Sequence, residues 1–122
     1  MILVDTSVWV DHLRGADSVL VGLLGAGTVL THPFVIGEVS LGHLRQRELI
    51  LKALQNLPRA VVASDAEVLQ FIGRKTLFGY GIGYVDAHLL ASVQLTSGTA
   101  LWSRDKRLLG AAKKLGLAAS QA

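Results

Sequence analysis

Short, wholly apolar runs that alternate with helical segments are the feature that most constrains how this chain folds. Ile2 to Val4 is the first such run, and Asp5 to Ser7 follow it directly with side chains that can cap a helix. An apolar run without polar alternation is typical of a strand buried on both faces of a parallel sheet. Strands that alternate with helices predict an α/β fold in which helices cover a parallel sheet.

The same alternation predicts the remaining elements. Strands are predicted over 2–4, 28–31, 59–63 and 99–102, with a short fifth strand around 117–119. Helices are predicted over 7–14, 18–24, 33–44, 47–57, 64–77, 84–95 and 105–115, and a glycine-rich loop over 78–83. Because 122 residues are few for two independent cores, we expect one domain over 1–122. It should be a three-layer sandwich, with a twisted parallel sheet of four to five strands between helices on both faces.

Composition excludes several classes of protein. With 51% hydrophobic residues the chain can pack an interior, so disorder is excluded as its overall state. The absence of cysteine excludes disulfides, iron–sulfur clusters and cysteine nucleophiles, and it fits an intracellular location. The uncharged stretch 18–37 is interrupted by glycines and Pro33, and no basic region precedes the apolar start. We therefore expect a cytoplasmic protein without a membrane span or signal peptide.

Most of the nine carboxylates have a local structural explanation. Glu48 precedes Lys52 by four positions and Asp11 precedes Arg14 by three, which are the spacings of ion pairs within a helix. The remaining residues of this group are expected at helix starts, where negative charge and capping side chains are favourable: Asp17, Asp65 and Glu67.

Four carboxylates lack such an explanation: Asp5, Glu38, Asp86 and Asp105. Glu38 and Asp86 lie on apolar helix faces that we expect to point inward, where an unpaired carboxylate is costly or becomes protonated. Asp5 and Asp105 follow predicted strands at their carboxyl ends, the edge at which open parallel sheets bind ligands. If the four residues meet there, their repulsion calls for a divalent cation, and oxygen ligands favour Mg²⁺ or Mn²⁺.

Each of these residues also has an explanation without a metal. Asp5 and Asp105 could simply cap helices, and Asp86 could be an ordinary first-turn acid. Glu38 could be a protonated core residue or a polar contact in a dimer. The spacing of the residues alone leaves these alternatives open.

The segments around the four acids resemble the PIN-domain family, and specifically its small VapC-type toxin ribonucleases. The matching segments, in order, are Ile2–Trp9, Ile36–Val39 with Gly42, Tyr84–Ala91 and Ser103–Lys106. The resemblance covers nearly the whole chain, to about Leu115, and implies the PIN-like sandwich. It implies that the catalytic and metal-binding residues are Asp5, Glu38, Asp86 and Asp105, with supporting hydroxyls on Thr6, Ser7 and Ser103.

The resemblance implies a toxin endoribonuclease that hydrolyses RNA phosphodiester bonds with a metal-activated water. Mg²⁺ is the expected cofactor, and Mn²⁺ should substitute for it. Twelve Lys and Arg against nine Asp and Glu give a net charge of +3, which suits an RNA substrate. The cations beside the last acid are candidates for RNA binding: Arg104, Lys106 and Arg107. No histidine is required as a base, and the four histidines are expected to be structural or on the surface.

The resemblance also implies partners. A cognate VapB-like antitoxin is expected to pack a helix against the first two helices, which carry Trp9, Leu13, Leu20 and Leu24, although Leu20 and Leu24 could simply belong to the core. A homodimer is usual in the family. Two alternatives remain, namely a housekeeping PIN-domain nuclease that processes RNA and a catalytically silent PIN-like binding module. The compact chain favours the toxin over the first, and the four acids argue against the second. A phospho-acceptor receiver domain is rejected, because Asp5 stands alone after its strand.

Overall fold

A computed structural model describes residues 1–121, so Ala122, the last residue of the predicted domain, lies outside the described residues. Its centre is a parallel sheet of β1 (Ile2–Val4), β2 (Val29–Leu30) and β3 (Ala100–Trp102), in the order β2-β1-β3. Ile2 pairs with Val29 on one side and with Ala100 on the other. Leu3 and Val4 point to opposite faces and are both fully buried, so both faces of the central strand are covered.

The predicted strand count of four to five is wrong, because the sheet has three strands within residues 1–121. The segments 59–63 and 117–119 each make one bridge, Arg59 to Thr31 and Ala118 to Leu101. In the first segment Ala60 and Ala63 are buried while the two valines between them are exposed. This spacing of three does not fit the two-residue alternation of a strand, so the segment leaves the sheet edge after a single bridge.

Seven helices surround the sheet in the part of the chain that is described. They are α1 (Thr6–Arg14), α2 (Ser18–Gly25), α3 (Pro33–Ser40), α4 (Arg47–Gln55), α5 (Asp65–Arg74), α6 (Tyr84–Leu95) and α7 (Lys106–Lys114). Their starts follow from local side chains: Asp17 caps α2, and Ser64 with Glu67 forms the predicted capping box of α5. Buried apolar side chains from all seven helices and the three strands form one core.

The third helix ends four residues earlier than the predicted 33–44, at Ser40. The last backbone hydrogen bonds tighten, with Leu41 donating to Glu38 and Gly42 donating to Val39 over three residues. The Ser40 hydroxyl also donates to the carbonyl of Gly37. Residues 41–46 therefore form a loop, and Leu41 is 88% exposed.

The sixth helix matches its predicted range, and every residue from Ala87 to Val93 is buried. Within residues 1–121, no helix has both the length and the apolar character needed to cross a membrane.

Candidate active site

The carboxyl ends of β1 and β3 meet at one edge of the sheet. Asp5 follows β1 directly, and its backbone N–H donates to the carbonyl of Trp102, the last residue of β3, at 2.9 Å. From the central β1 the chain moves first to β2 on one side and later to β3 on the other. This edge is therefore a switch point in strand order, where open parallel sheets form ligand sites.

Asp5 is buried and is held by two serine hydroxyls. Its Oδ2 accepts hydrogen bonds from Ser7 Oγ at 2.7 Å and from Ser103 Oγ at 2.9 Å. Ser103 is itself buried, and its Oγ also accepts from the backbone N–H of Asp105 at 3.0 Å. Two of the three predicted supporting hydroxyls thus contact the first acid, and one of them connects it to the last.

Glu38 lies on α3 and accepts a hydrogen bond at Oε1 from Thr6 Oγ1, at 2.7 Å. The third predicted hydroxyl therefore also contacts an acid. The expectation that Glu38 points inward is wrong, because its side chain is exposed. On α3 the buried residues are Val35 and Val39, and Glu38 lies beside them at the boundary with α1.

Asp86 lies in the first turn of α6 and is half-buried. Its pKa is raised to about 6, first by burial and then by the negative charges of Asp5, Asp105 and Glu38, while the hydrogen bond from the Gly83 N–H acts in the lowering direction. The repulsion from all three residues shows that the sheet edge brings the four predicted acids into one electrostatic group. We call this group the acid edge.

Asp105 is exposed and caps α7, its Oδ1 accepting from the N–H groups of Arg107 and Leu108, both at 3.0 Å. Asp5 likewise caps α1 through the backbone N–H of Ser7. The predicted capping role of Asp5 and Asp105 is therefore confirmed. Capping occupies one oxygen of each carboxylate and leaves the other without a role.

The second oxygen of each acid is without a hydrogen-bond partner among residues 1–121. These oxygens are Oδ1 of Asp5, Oε2 of Glu38, Oδ1 of Asp86 and Oδ2 of Asp105. No Lys, Arg or His of the described chain lies within 4.0 Å of the acid edge to form an ion pair. Mutually repelling carboxylates with free oxygens are the donor set that suits a hard divalent cation.

The side chains as they lie do not yet form a coordination cage. Across residues 1–121, no three His, Asp or Glu side chains converge closely enough to hold one metal ion. The side chain of Glu38 is exposed and can rotate toward the other acids, with the hydrogen bond from Thr6 as the contact that such a rotation has to keep or break. The residues therefore fit a divalent cation by chemistry and position, and binding it requires side-chain rotation.

Arg104 contacts acids outside the acid edge. Its guanidinium donates to Asp11 Oδ2 at 2.7 Å and to Asp17 Oδ2, and it lies over the ring of Trp102 at 5.6 Å. The hydrogen bond to Asp11 and then that to Asp17 raise the pKa of Arg104. We call these three charged residues the arginine clamp. Asp11 therefore pairs with Arg104 and not with Arg14, its predicted partner.

The other two predicted RNA-binding cations are not paired in this way. Within residues 1–121 Lys106 and Arg107 have no acidic partner, and Arg107 only donates a long hydrogen bond, 3.4 Å, to the carbonyl of Gly81. The described part of the chain also shows no ion pair between Glu48 and Lys52, whose spacing predicted one.

Three of the four histidines have structural contacts, namely His12, His32 and His88. His32 caps α3 by accepting from Phe34 N–H at Nδ1, so its Nε2 carries the proton and donates to Ser92 Oγ at 3.1 Å. Burial lowers the pKa of His32 to about 4. His12 Nδ1 accepts from the backbone of Asp17.

A cluster that the sequence did not reveal joins the starts of α5 and α6. The buried ring of His88 lies 3.1 Å from Asp65 Oδ1, and Tyr84 donates to the same oxygen at 3.0 Å. Tyr84 is two residues before Asp86, so the cluster fixes the start of the helix that carries this acid. No local pattern connects Asp65 with residues about twenty positions away.

The fold and the acid edge together fit an α/β protein that can hold a divalent cation at one edge of its parallel sheet. The model of the PIN domain matches residues 2–114, so the chain belongs to the PIN-domain family, as the four acidic segments predicted. PIN nucleases generally use divalent metal ions.

Two curated proteins are similar over the whole chain. Both are named Ribonuclease VapC32 and come from Mycobacterium tuberculosis, from strain CDC 1551 / Oshkosh and strain ATCC 25618 / H37Rv. Each is 50% identical over 121 residues, which cover 99% of this chain and 98% of the relative.

Proposed function

We propose that this chain is a VapC-type toxin, an endoribonuclease that hydrolyses RNA phosphodiester bonds with Mg²⁺, for which Mn²⁺ can substitute. The observation that carries the proposal is the acid edge: four carboxylates at a strand-order switch, unpaired with any cation among residues 1–121, each with a free oxygen. The two relatives are named ribonucleases, which supports the same activity here.

The proposed metal-binding and catalytic residues are Asp5, Glu38, Asp86 and Asp105. When bound, the cation eases deprotonation of water and offsets the negative charge that develops on the phosphate. Ser7 and Ser103 donate to one oxygen of Asp5, which orients the carboxylate and leaves the other oxygen available. Thr6 does the same for Glu38.

Lys106 and Arg107 are the proposed phosphate-binding cations beside Asp105. Both are exposed and unpaired with acids in the described chain, so they can neutralise phosphate charge without breaking an existing ion pair. Arg104 reaches a phosphate only if it leaves Asp11 and Asp17. Its main contribution in this arrangement is to fix the backbone next to Asp105.

The first test is cleavage of total RNA by the purified protein in Mg²⁺, in Mn²⁺ and in EDTA. Wild type should give discrete fragments with either metal and none in EDTA, and Glu38→Gln should abolish them. Glu48→Gln is the matched control, because Glu48 is also an exposed helical glutamate and has no ion-pair partner in the described chain. Equal cleavage by Glu38→Gln, or cleavage that survives EDTA, would contradict the proposal.

An RNA cleavage assay and a growth assay together distinguish the toxin from the two alternatives, a housekeeping nuclease and a silent binding module. A housekeeping nuclease would cleave RNA without stopping growth when it is expressed, whereas the toxin should arrest growth and Glu38→Gln should not. A silent binding module would neither bind Mg²⁺ by calorimetry nor cleave.

VapC toxins pair with VapB antitoxins, and we propose such an antitoxin as a partner, together with a homodimer. Exposed apolar side chains, among them Val21 at 51% and Leu69 at 64% exposure, are compatible with a dimer. A light-scattering mass equal to one chain would contradict it. The cytoplasmic location stays a prediction.

A further inference from the structure

A groove leads away from the acid edge between α1, α3 and the loop 41–46. Its volume is about 520 Å³, and Glu38 lies in its wall. Leu13 and Arg14 of α1 line it on one side, and His43 and Arg45 of the loop line it on another. The groove and the acid edge are therefore continuous through Glu38.

The groove carries positive charge that nothing in the described chain neutralises. Arg14 and Arg45 are exposed, and neither has an acidic side chain within 4.0 Å among residues 1–121. Glu38 is the one carboxylate in the lining of the groove within residues 1–121. Unpaired arginines around a concave surface favour an anionic ligand.

The two ends of the loop that contains Arg45 are joined by a hydrogen bond. Because α3 stops at Ser40, residues 41–46 turn back, and Arg47 at the start of α4 donates to the carbonyl of Ser40. Gln46 takes a left-handed conformation, φ 53°, at the return. The loop thus presents His43 and Arg45 from a fixed base.

The first helix carries the groove away from the acid edge. It begins beside the acid edge at Thr6, and its residues that line the groove run from Val10 to Arg14. At about 1.5 Å per residue, Arg14 lies ~12 Å along the helix axis from Thr6. The walls also contain Leu13 and Ile50, apolar surfaces on which sugars and bases can rest.

Cations therefore flank the acid edge on both sides. Asp105 follows β3 and has Lys106 and Arg107 beside it, whereas Glu38 belongs to the helix after β2 and opens onto Arg14 and Arg45. A polyanion that crosses the acids meets positive charge before and after them. A protein helix seated in the groove alone would make no use of Lys106 and Arg107, which lie outside the groove lining.

We propose that this groove binds the RNA backbone on one side of the scissile bond, with Arg14 and Arg45 holding phosphates. The inference rests on the proposed ribonuclease function and names positioning residues for it. Both arginines act on binding and placement of the substrate and do not touch the reacting atoms.

Binding without hydrolysis tests the groove separately from catalysis. The probe is a fluorescein-labelled, 20-nucleotide single-stranded RNA of mixed sequence, titrated in EDTA between 50 and 200 mM salt. The test variant is Arg14→Gln with Arg45→Gln. The control is Arg74→Gln with Lys75→Gln, which removes the same charge from the end of α5, outside the groove lining.

The groove variant should bind the probe about tenfold more weakly at 100 mM salt, and its salt slope should fall by about 1.4 for two lost phosphate contacts. The control should stay within about twofold of wild type with an unchanged slope, and circular dichroism should show both variants folded. Equal losses in the two variants, or an unchanged slope in the groove variant, would overturn the proposal and leave the groove to a protein partner. If wild type binds no RNA and cleaves none, the proposed function falls and this inference falls with it.

Discussion

Two groups of charged residues lie side by side at the end of β3. The acids of one group are paired with a cation, and those of the other are not. In the arginine clamp, Asp11 and Asp17 share the guanidinium of Arg104. At the acid edge, which begins at the next residue, the carboxylates have no cationic partner within residues 1–121. The fold can therefore neutralise acids in this region and does so for one group only. Unpaired charge at the other group costs stability, which is typical of a functional site.

The same substitution in the two groups should have different consequences. Asp5→Asn should reduce the RNA cleavage rate by on the order of 10³-fold, because it removes a charged metal ligand, while the Asn side chain still caps α1. Asp11→Asn, in the arginine clamp, should leave the rate within about tenfold. Initial rates in Mg²⁺ measure both. A comparable loss of rate in the two variants would remove the functional distinction between the groups.

The burial of Asp86 and its repulsion by the other acids predict a pH-dependent stability. The folded pKa of Asp86 is about 6, above the ordinary value of 3.8, so the folded state holds its proton more tightly. This contribution is fully present below pH 3.8 and is lost as the pH rises through about 6. Asp86→Asn should therefore stabilise the metal-free protein at pH 7 by about 2 kcal/mol, after allowance for partial exposure, and have little effect at pH 4.

Urea unfolding of both proteins in EDTA at several pH values measures this difference. Glu48→Gln is the control, since its carboxylate lies apart from the acid edge and should leave the pH dependence of wild type intact. If the free energy of unfolding had the same pH dependence in Asp86→Asn and wild type, Asp86 would not be the group that destabilises the folded protein at neutral pH.

The arginine clamp should show the smaller effect, on stability alone. Arg104→Gln removes two charge-assisted hydrogen bonds, but the carboxylate of Asp11 is half exposed, so the loss is about 1 kcal/mol. Lys106→Gln removes the same charge two residues later and should cost less than about 0.5 kcal/mol, because Lys106 has no acidic partner in the described chain. Urea midpoints compare the two variants. Equal midpoints would mean that the clamp does not stabilise the fold.

Elements with a strong local signal could be predicted from the sequence. The sixth helix was predicted at its observed bounds, because its long apolar stretch begins after a glycine-rich loop. The two additional strands, 59–63 and 117–119, were predicted wrongly, since a mostly apolar run does not reveal how many bridges an edge segment makes. The burial of Glu38 was wrong because the helix ends before its apolar neighbour Leu41 can join the face.

That the four acids lie near one another could be predicted from the sequence, because Glu38 and Asp86 lie on helices with apolar neighbours and Asp5 and Asp105 follow strands. The arginine clamp could not, because Arg104 is 93 positions from Asp11 and 87 from Asp17. The groove likewise depends on where α3 ends, and helix ends are the least certain part of any sequence prediction. Contacts that join distant segments require the fold to be known.

The position of β1 has a consequence for the synthesis of the protein. This first strand lies at the centre of the sheet, and its second neighbour, β3, begins at Ala100. A chain that is still emerging from the ribosome carries Asp5 early but cannot place it against Ser103 until residue 103 has been translated. Because contacts between distant segments form late in folding, the acid edge is completed only after synthesis has passed β3.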